Sequence, residues 1–367
     1  LHPIRVISSN FELVADIEQY ETAIYKRSFT GVGTFEIYLP YFQGLLDTFA
    51  VKNFVIFDNN AHKAGIVKYL RVEITESGRE QLIVGGRCLK SILQQRIVIP
   101  PAGQAQWSRT SKSAETVIKD MIADSMISAA DADRNISFVQ NAPNQSRGNT
   151  ISWDSRYYNL MDEVEKICTE NNIGVFGYLD LANKKVIFDV AETFDVTIDN
   201  GANPPVIFSK DYDDIKNQTY IYDTYSLVSD ALVAGQGEGV ARTIVEVGSG
   251  GTGIDRIESF IDARDIADSG ELASRGNEKL LEAGIKETFE STVLTHSAFQ
   301  YGTDWDLGYK VTVVNSDLNK RLDTVITEVV ENYSARGLEL QVTFGDKIPN
   351  VLDRIKQDIN KPVKTNI

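Results

Sequence analysis

The sequence predicts a mainly β protein with α+β elements, in which two strand-rich portions surround an inserted α+β unit. Three observations carry that prediction. Apolar residues alternate over short runs broken by Gly, Asn, Asp and Ser clusters in the first hundred residues and again beyond residue 200. Between them the apolar spacing switches to the 3.6-residue period of helices. The chain of 367 residues is also too long for one typical core. The expected divisions are a first strand-rich domain over 1–100, an inserted α+β domain over 101–200, and a second strand-rich region with one helix over 201–346. Part of that last region is expected to complete the first domain, and 347–367 reads as a C-terminal tail.

In the first portion, Ile4, Val6 and Ile7 open an extended run that resumes at Phe11 to Val14 after a turn at Ser8-Ser9-Asn10. Phe35, Ile37 and Leu39 share one face of a strand ended by Pro40, and Phe54 to Phe57 reads as a buried strand. Ala64 to Thr75 and Glu80 to Val84 flank Glu76-Ser77-Gly78, a hairpin signal. Many short strands with tight turns suit a small barrel or sandwich, and closure would remove exposed edges. In the insertion, Trp107 is expected in a polar loop. Ser113 is placed to cap a helix bearing Val117, Ile118, Met121 and Ile122 on one stripe. A second helix, capped by Asn159, should turn Leu160, Val164, Ile167 and Cys168 inward and Glu163, Glu165 and Lys166 outward. A hairpin from Val175 to Phe188 follows. Further on, Thr219 to Tyr225 and Thr243 to Val247 are strand candidates. A helix over 269–283 should present Leu272, Ala273, Leu280 and Leu281, with Gly284 stopping it. Leu338, Leu340, Val342 and Phe344 alternate with polar residues, the pattern of a strand with one buried face.

Composition narrows the function. Apolar residues make up 42% and charged ones 24%, an ordinary globular balance, while the net charge of −15 argues against a phosphate-backbone binder. Cys88 and Cys168 stand far apart in apolar surroundings, which fits two buried thiols of a protein folded in a reducing compartment better than a disulfide. No apolar run approaches the ~20 residues that span a bilayer, and no signal-like opening is evident, so the sequence reads as made in the cytoplasm.

Signatures of catalysis are missing. The three histidines, His2, His62 and His296, show no HxH or HExxH spacing, and no metal or other cofactor is expected. His62, in a turn beside Asn59-Asn60, reads as an exposed polar residue. Gly248 to Gly253 lacks the lysine of a phosphate loop and reads as a flexible connection. No GxSxG elbow is present. Asp304 and Asp306 flank Trp305, and alternation would put both carboxylates on one side of an extended segment, able to raise each other's pKa or to hold a cation. Asp211, Asp213 and Asp214 form a second cluster without the spacing of an EF-hand. Plain turn chemistry accounts for both clusters, so no catalytic, cofactor-binding or metal-binding residue is assigned.

Three segments carry a family resemblance. Tyr301-Gly302-Thr303-Asp304-Trp305-Asp306-Leu307-Gly308-Tyr309-Lys310-Val311-Thr312-Val313 resembles the "YGxDWxLGDxVTV" segment of the Siphovirus Gp37-like tail proteins, within the wider group of phage baseplate hub and tail-associated proteins. Tyr309 stands where that family usually has an aspartate. Val84 to Ile97 is similar to the family's "GxxLxxLLxxRI" element, with Gly85 and Gly86 read as letting the backbone turn. Arg256 to Ile266 resembles its "E-x-F-x-D-x-R-D" run. Together the resemblance spans residues 1 to about 346. It implies a non-enzymatic, structural virion tail protein of a phage or prophage: two barrel-like domains forming a ring in a homotrimer, with peripheral α+β domains. The ring would join a distal tail or tube protein to a fibre or spike, and DNA would cross its lumen without specific binding. Two other function classes compete. A carbohydrate-binding, adhesin-like module would need Trp107, Trp153 or Trp305 as an exposed platform. A glycan-degrading or peptidase enzyme would need two carboxylates, or a nucleophile and base, converging in a cleft.

Overall fold

The computed structural model describes residues 2–76, 78–264 and 266–346; the expected tail over 347–367 lies outside the described residues. Among the described residues the chain divides into two compact units, one over 2–218 with Glu290–Phe344 and the other over Thr219–Phe289 with Gly345 and Asp346.

The amino-terminal strands are β1 (Ile4–Ile7), β2 (Leu13–Ile17), β3 (Thr22–Ser28), β4 (Thr34–Pro40), β5 (Phe54–Phe57), β6 (Ala64–Ile74) and β7 (Glu80–Cys88), with the short helix α1 (Leu45–Thr48) before β5. Alternation fixes their facing: Phe35, Ile37 and Leu39 of β4 are buried while Thr34 and Pro40 are exposed. The β6–β7 hairpin turns on the Gly78 N–H, 2.8 Å from the Thr75 carbonyl, at a left-handed Gly78 with φ 77°. Gly85 and Gly86 do not turn the chain. Both lie inside β7, where a Cβ on Gly85 would sit 1.9 Å from the Tyr69 ring and one on Gly86 2.1 Å from the Ile66 carbonyl. Their bareness lets neighbouring strands approach.

Helical spacing returns in the insertion. After a 3₁₀ turn over Leu89–Gln95 come β8 (Trp107–Ser113), α2 (Ala114–Ile122), β9 (Val139–Asn141), β10 (Thr150–Ser155), α3 (Leu160–Glu170), β11 (Ile173–Asp180) and β12 (Lys185–Glu192). Ser113 Oγ accepts the Thr116 N–H and Asn159 Oδ1 the Met161 N–H, so both helices start at their expected caps. Trp107 is no loop residue. It opens β8, fully buried, because its ring fills the helical core while Nε1 donates to Asp124 at 2.9 Å. Glu163 also departs from its outward assignment, being buried and accepting from Trp153 Nε1 at 3.0 Å.

The remaining strands of the first unit are β13 (Phe194–Asp195), β14 (Ile207–Ser209) and the start of β15 (Ile215–Asp223). In the second unit lie β16 (Asp230–Ala234), β17 (Ile244–Gly248), β18 (Glu258–Asp262) and α4 (Ser269–Glu282). β19 (Lys286–Val293) returns the chain to β20 (Tyr309–Asn315), β21 (Lys320–Ser334) and β22 (Gly337–Gly345). β16 is the central strand of its small sheet, and Val233, Ala263, Ile266 and Leu272 form the second unit's core. On α4, Leu272 is buried, whereas Leu281, expected inward, is 83% exposed.

The main sheet of the first unit runs β22-β21-β3-β4-β7-β6-β5-β1-β2. Its register joins distant parts of the chain, Thr22 opposite Ser334 and Ser28 opposite Glu328. The expected barrels are not found, since among the described residues no sheet closes. The reason is visible in β5, all four of whose residues are buried. Val55 and Phe57 face the sheet's own core with Ile4, Val6 and Tyr333, while Phe54 and Ile56 pack with α2 and α3 residues such as Val117, Ile118 and Val164. The insertion covers apolar surface that closure would otherwise have to bury.

Candidate functional site

The segment singled out as 301–313 folds as a turn and a strand rather than as an extended pair of acids. Tyr301 bridges Trp305, the Gly302 N–H donates to the Trp305 carbonyl at 2.8 Å, and Gly302 is left-handed at φ 80°. The two aspartates take different partners. Asp304 Oδ2 accepts the Gln300 N–H at 2.7 Å and holds its own turn, whereas Asp306 Oδ1 receives Arg27 Nη1 at 2.6 Å. They make no shared carboxylate pair, and no cluster of three or more potential metal ligands occurs among the described residues. Trp305 is buried edge-on against Phe208, with ring centroids 5.3 Å apart. Gly308 has φ 88°, and a Cβ there would lie 2.3 Å from the Phe29 ring, so the position needs glycine twice over. Tyr309, in place of the usual aspartate, lays its ring 5.1 Å from Phe194 and leaves β20 intact.

Tyr301 and Asp306 lead into a buried polar network that the sequence did not reveal. Its centre is Glu331 of β21, whose side chain is 0% exposed. Lys63 Nζ lies 2.9 Å from Glu331 Oε1, and the hydroxyls of Tyr301 and Tyr333 both donate to the same carboxylate. Arg27 of β3 donates to Tyr301 and to Asp306, 3.6 Å from Glu331. His2 pairs with Asp58 at 2.8 Å, and Asp58 lies 3.9 Å from Lys63. Burial raises Tyr301 and Tyr333 well above the usual phenol range, and the Glu331 carboxylate pushes them the same way. Burial would lower Arg27, but Tyr301, Asp306 and Glu331 outweigh it and hold the guanidinium firmly charged. The carboxylates of Glu331, Asp306 and Asp58 therefore offset the cations of Arg27 and Lys63 where strands far apart in sequence meet. That arrangement fixes register; its groups are engaged with each other rather than held ready for a substrate.

The other sequence candidates also resolve into structural roles. Arg256 reaches Glu246 and Glu258, each at 2.6 Å, and Asp230 at 3.7 Å. Asp230 Oδ1 in turn accepts the Gly250 N–H at 2.9 Å, which tethers the Gly248–Gly253 loop. Asp211 accepts from Ser316, while Asp214 Oδ1 accepts the Ser209 N–H at 2.8 Å and its buried Oδ2 has no partner among the described residues. His62 is exposed, its ring stacked 4.7 Å from Tyr178. Both cysteines are free and buried, and burial pushes the Cys168 thiol up to about 12. Trp107 and Trp305 are each 1% exposed and Trp153 is half-buried, so they form no exposed stacking platform. No helix among the described residues is long and apolar enough to cross a membrane.

Comparison with known proteins agrees with this picture. The family model described as Siphovirus ReqiPepy6 Gp37-like protein matches residues 3–346. A search of the curated proteins found no match. Among solved structures, the 43 kDa tail protein of prophage MuSo2 from Shewanella oneidensis is 12% identical with a TM-score of 0.63, over 93% of this chain and 98% of that one. The tail protein from Neisseria meningitidis MC58 is 14% identical with a TM-score of 0.58, over 94% and 97%. Prophage tail protein gp18 from Listeria monocytogenes EGD-e is 11% identical with a TM-score of 0.57, over 97% and 98%.

Proposed function

Because the chain belongs to the Siphovirus ReqiPepy6 Gp37-like protein family, we propose that it is a non-enzymatic structural component of a phage or prophage tail, a baseplate hub. In this reading it forms a homotrimeric ring that links the tail tube or distal tail protein to a fibre or spike. The observation that carries the proposal is the fold, shared with prophage tail proteins along nearly the whole of both chains. Residues 1–100 and 201–346 would supply the strand-rich ring and 101–200 a peripheral domain, with the protein made in the host cytoplasm before joining the virion. The net charge of −15 suits a lumen through which DNA passes without being held. Burial of Trp107 and Trp305 speaks against the carbohydrate-binding alternative. The engagement of Asp304 and Asp306 by separate partners speaks against a glycosidase pair.

The test is the absolute molar mass of the purified chain across a concentration series, alone and after co-expression with neighbouring tail proteins. A stable mass near three times 40.8 kDa is expected. A strict monomer under both conditions would overturn the hub reading.

A further inference from the structure

Beside the buried network lies a cavity of about 320 Å³ that the structural role leaves unexplained. At ~30 Å³ per water it has room for about ten waters, or for a ligand of comparable size. It opens to solvent next to Asn60 and His62, both exposed. Phe29, Phe176 and Leu307 give it apolar walls, and Arg27, Lys90 and Asp306 supply its charges.

Lys90 is the unusual member. Its residue is 4% exposed, yet its Nζ donates only to the backbone carbonyls of Ser28 at 2.7 Å and Phe29 at 3.4 Å. Among the described residues no carboxylate oxygen comes within 4.0 Å of it. Glu165 acts on the ammonium only from beyond ion-pairing distance, and burial outweighs it; an ammonium group out of water without a contacting counter-ion is costly. Arg27 also faces the cavity, and its hydrogen bonds to Tyr301 and Asp306 both leave from Nη1, so among the described residues its other nitrogens carry none. The buried Lys90 and the partly buried Arg27 thus share the cavity wall with one lining carboxylate, Asp306, which Arg27 already engages.

We propose that this cavity binds a small organic carboxylate with a flat apolar body, the carboxylate against Lys90 and the body against Phe29 and Phe176. The inference does not depend on the hub reading. The probe is benzoate, titrated calorimetrically into the full chain, with benzamide as its neutral counterpart. Benzoate is expected to saturate with a Kd at or below about 1 mM and benzamide to bind at least ~10-fold more weakly. Lys90→Met should weaken benzoate at least ~10-fold without lowering the melting temperature. Ala191→Phe, which fills the cavity and leaves every charge in place, should abolish binding, and it keeps the test sound if Lys90→Met does not fold. Absence of saturable binding to the natural chain, equal affinity for benzamide, or affinity unchanged in the folded variants would each overturn the proposal.

Discussion

Replacing Glu115 by Gln tests how far ion pairing holds the insertion together. The Glu115 side chain is 0% exposed and accepts from Lys119 Nζ at 2.6 Å, from Arg147 Nη2 at 2.9 Å and from the Arg147 N–H at 2.8 Å. Burial alone would raise its pKa, but the Arg147 and Lys119 donors win and hold it at about 2 against an ordinary 4.5. At ~1.4 kcal/mol per pKa unit that difference is worth ~3 kcal/mol. It agrees with the ~3–5 kcal/mol lost on breaking a buried pair. Because the folded-state pKa is depressed, this stability is fully present above 4.5 and is lost as pH falls toward about 2. Glu115→Gln should therefore lose ~3 kcal/mol near neutral pH, with the gap to the natural chain narrowing below pH 4.5. Asp189, still paired with both cations, limits the loss. Urea unfolding followed by tryptophan fluorescence, with Trp107 reporting from the same core, measures the gap at each pH. A loss under ~1 kcal/mol near neutrality, or a gap that does not change with pH, would refute the reasoning.

Two further outcomes follow from named contacts. Gly308→Ala should cost ~3 kcal/mol or more, combining a left-handed backbone with a Cβ 2.3 Å from the Phe29 ring. Phe29→Leu in the same chain should recover only the steric part in a thermal melt. Asp214, pushed by burial from 3.8 up to about 6, favours the fold when protonated, so its contribution is full below 3.8 and is lost as pH rises through about 6. Asp214→Asn should accordingly gain up to ~3 kcal/mol at slightly alkaline pH and nothing near pH 4, read by calorimetry at both; a variant less stable than the natural chain at alkaline pH would count against it.

Legibility in the sequence followed the range of the interactions involved. Both capped helices of the insertion were readable, because Ser113 and Asn159 act within two or three residues of themselves and the apolar stripe needs only the 3.6 period. The open sheet was not, since closure depends on what covers β5, and that is decided by helices sixty residues or more along the chain. Gly85 and Gly86 were visible as glycines, but whether a glycine turns the chain or admits a neighbour depends on Tyr69 and Ile66 across the strand. The Arg27–Asp306–Tyr301–Glu331 network was hidden for the same reason. Its members come from three separate stretches, and each alone reads as an ordinary surface charge or aromatic residue.

The pairing of β3 with β21 has a consequence for synthesis. Residues 22–28 leave the ribosome three hundred residues or more ahead of the residues that pair with them. At ~5–20 residues per second that is a wait of roughly 15–60 s. Until then Arg27 and Lys63 lack Glu331, and β3 offers an unsatisfied edge. The insertion, whose strands and helices pair within 107–192, can mature during that interval. The β3 edge of the main sheet therefore remains open while the nascent chain grows, and is the part of the protein that a chaperone would find most to protect.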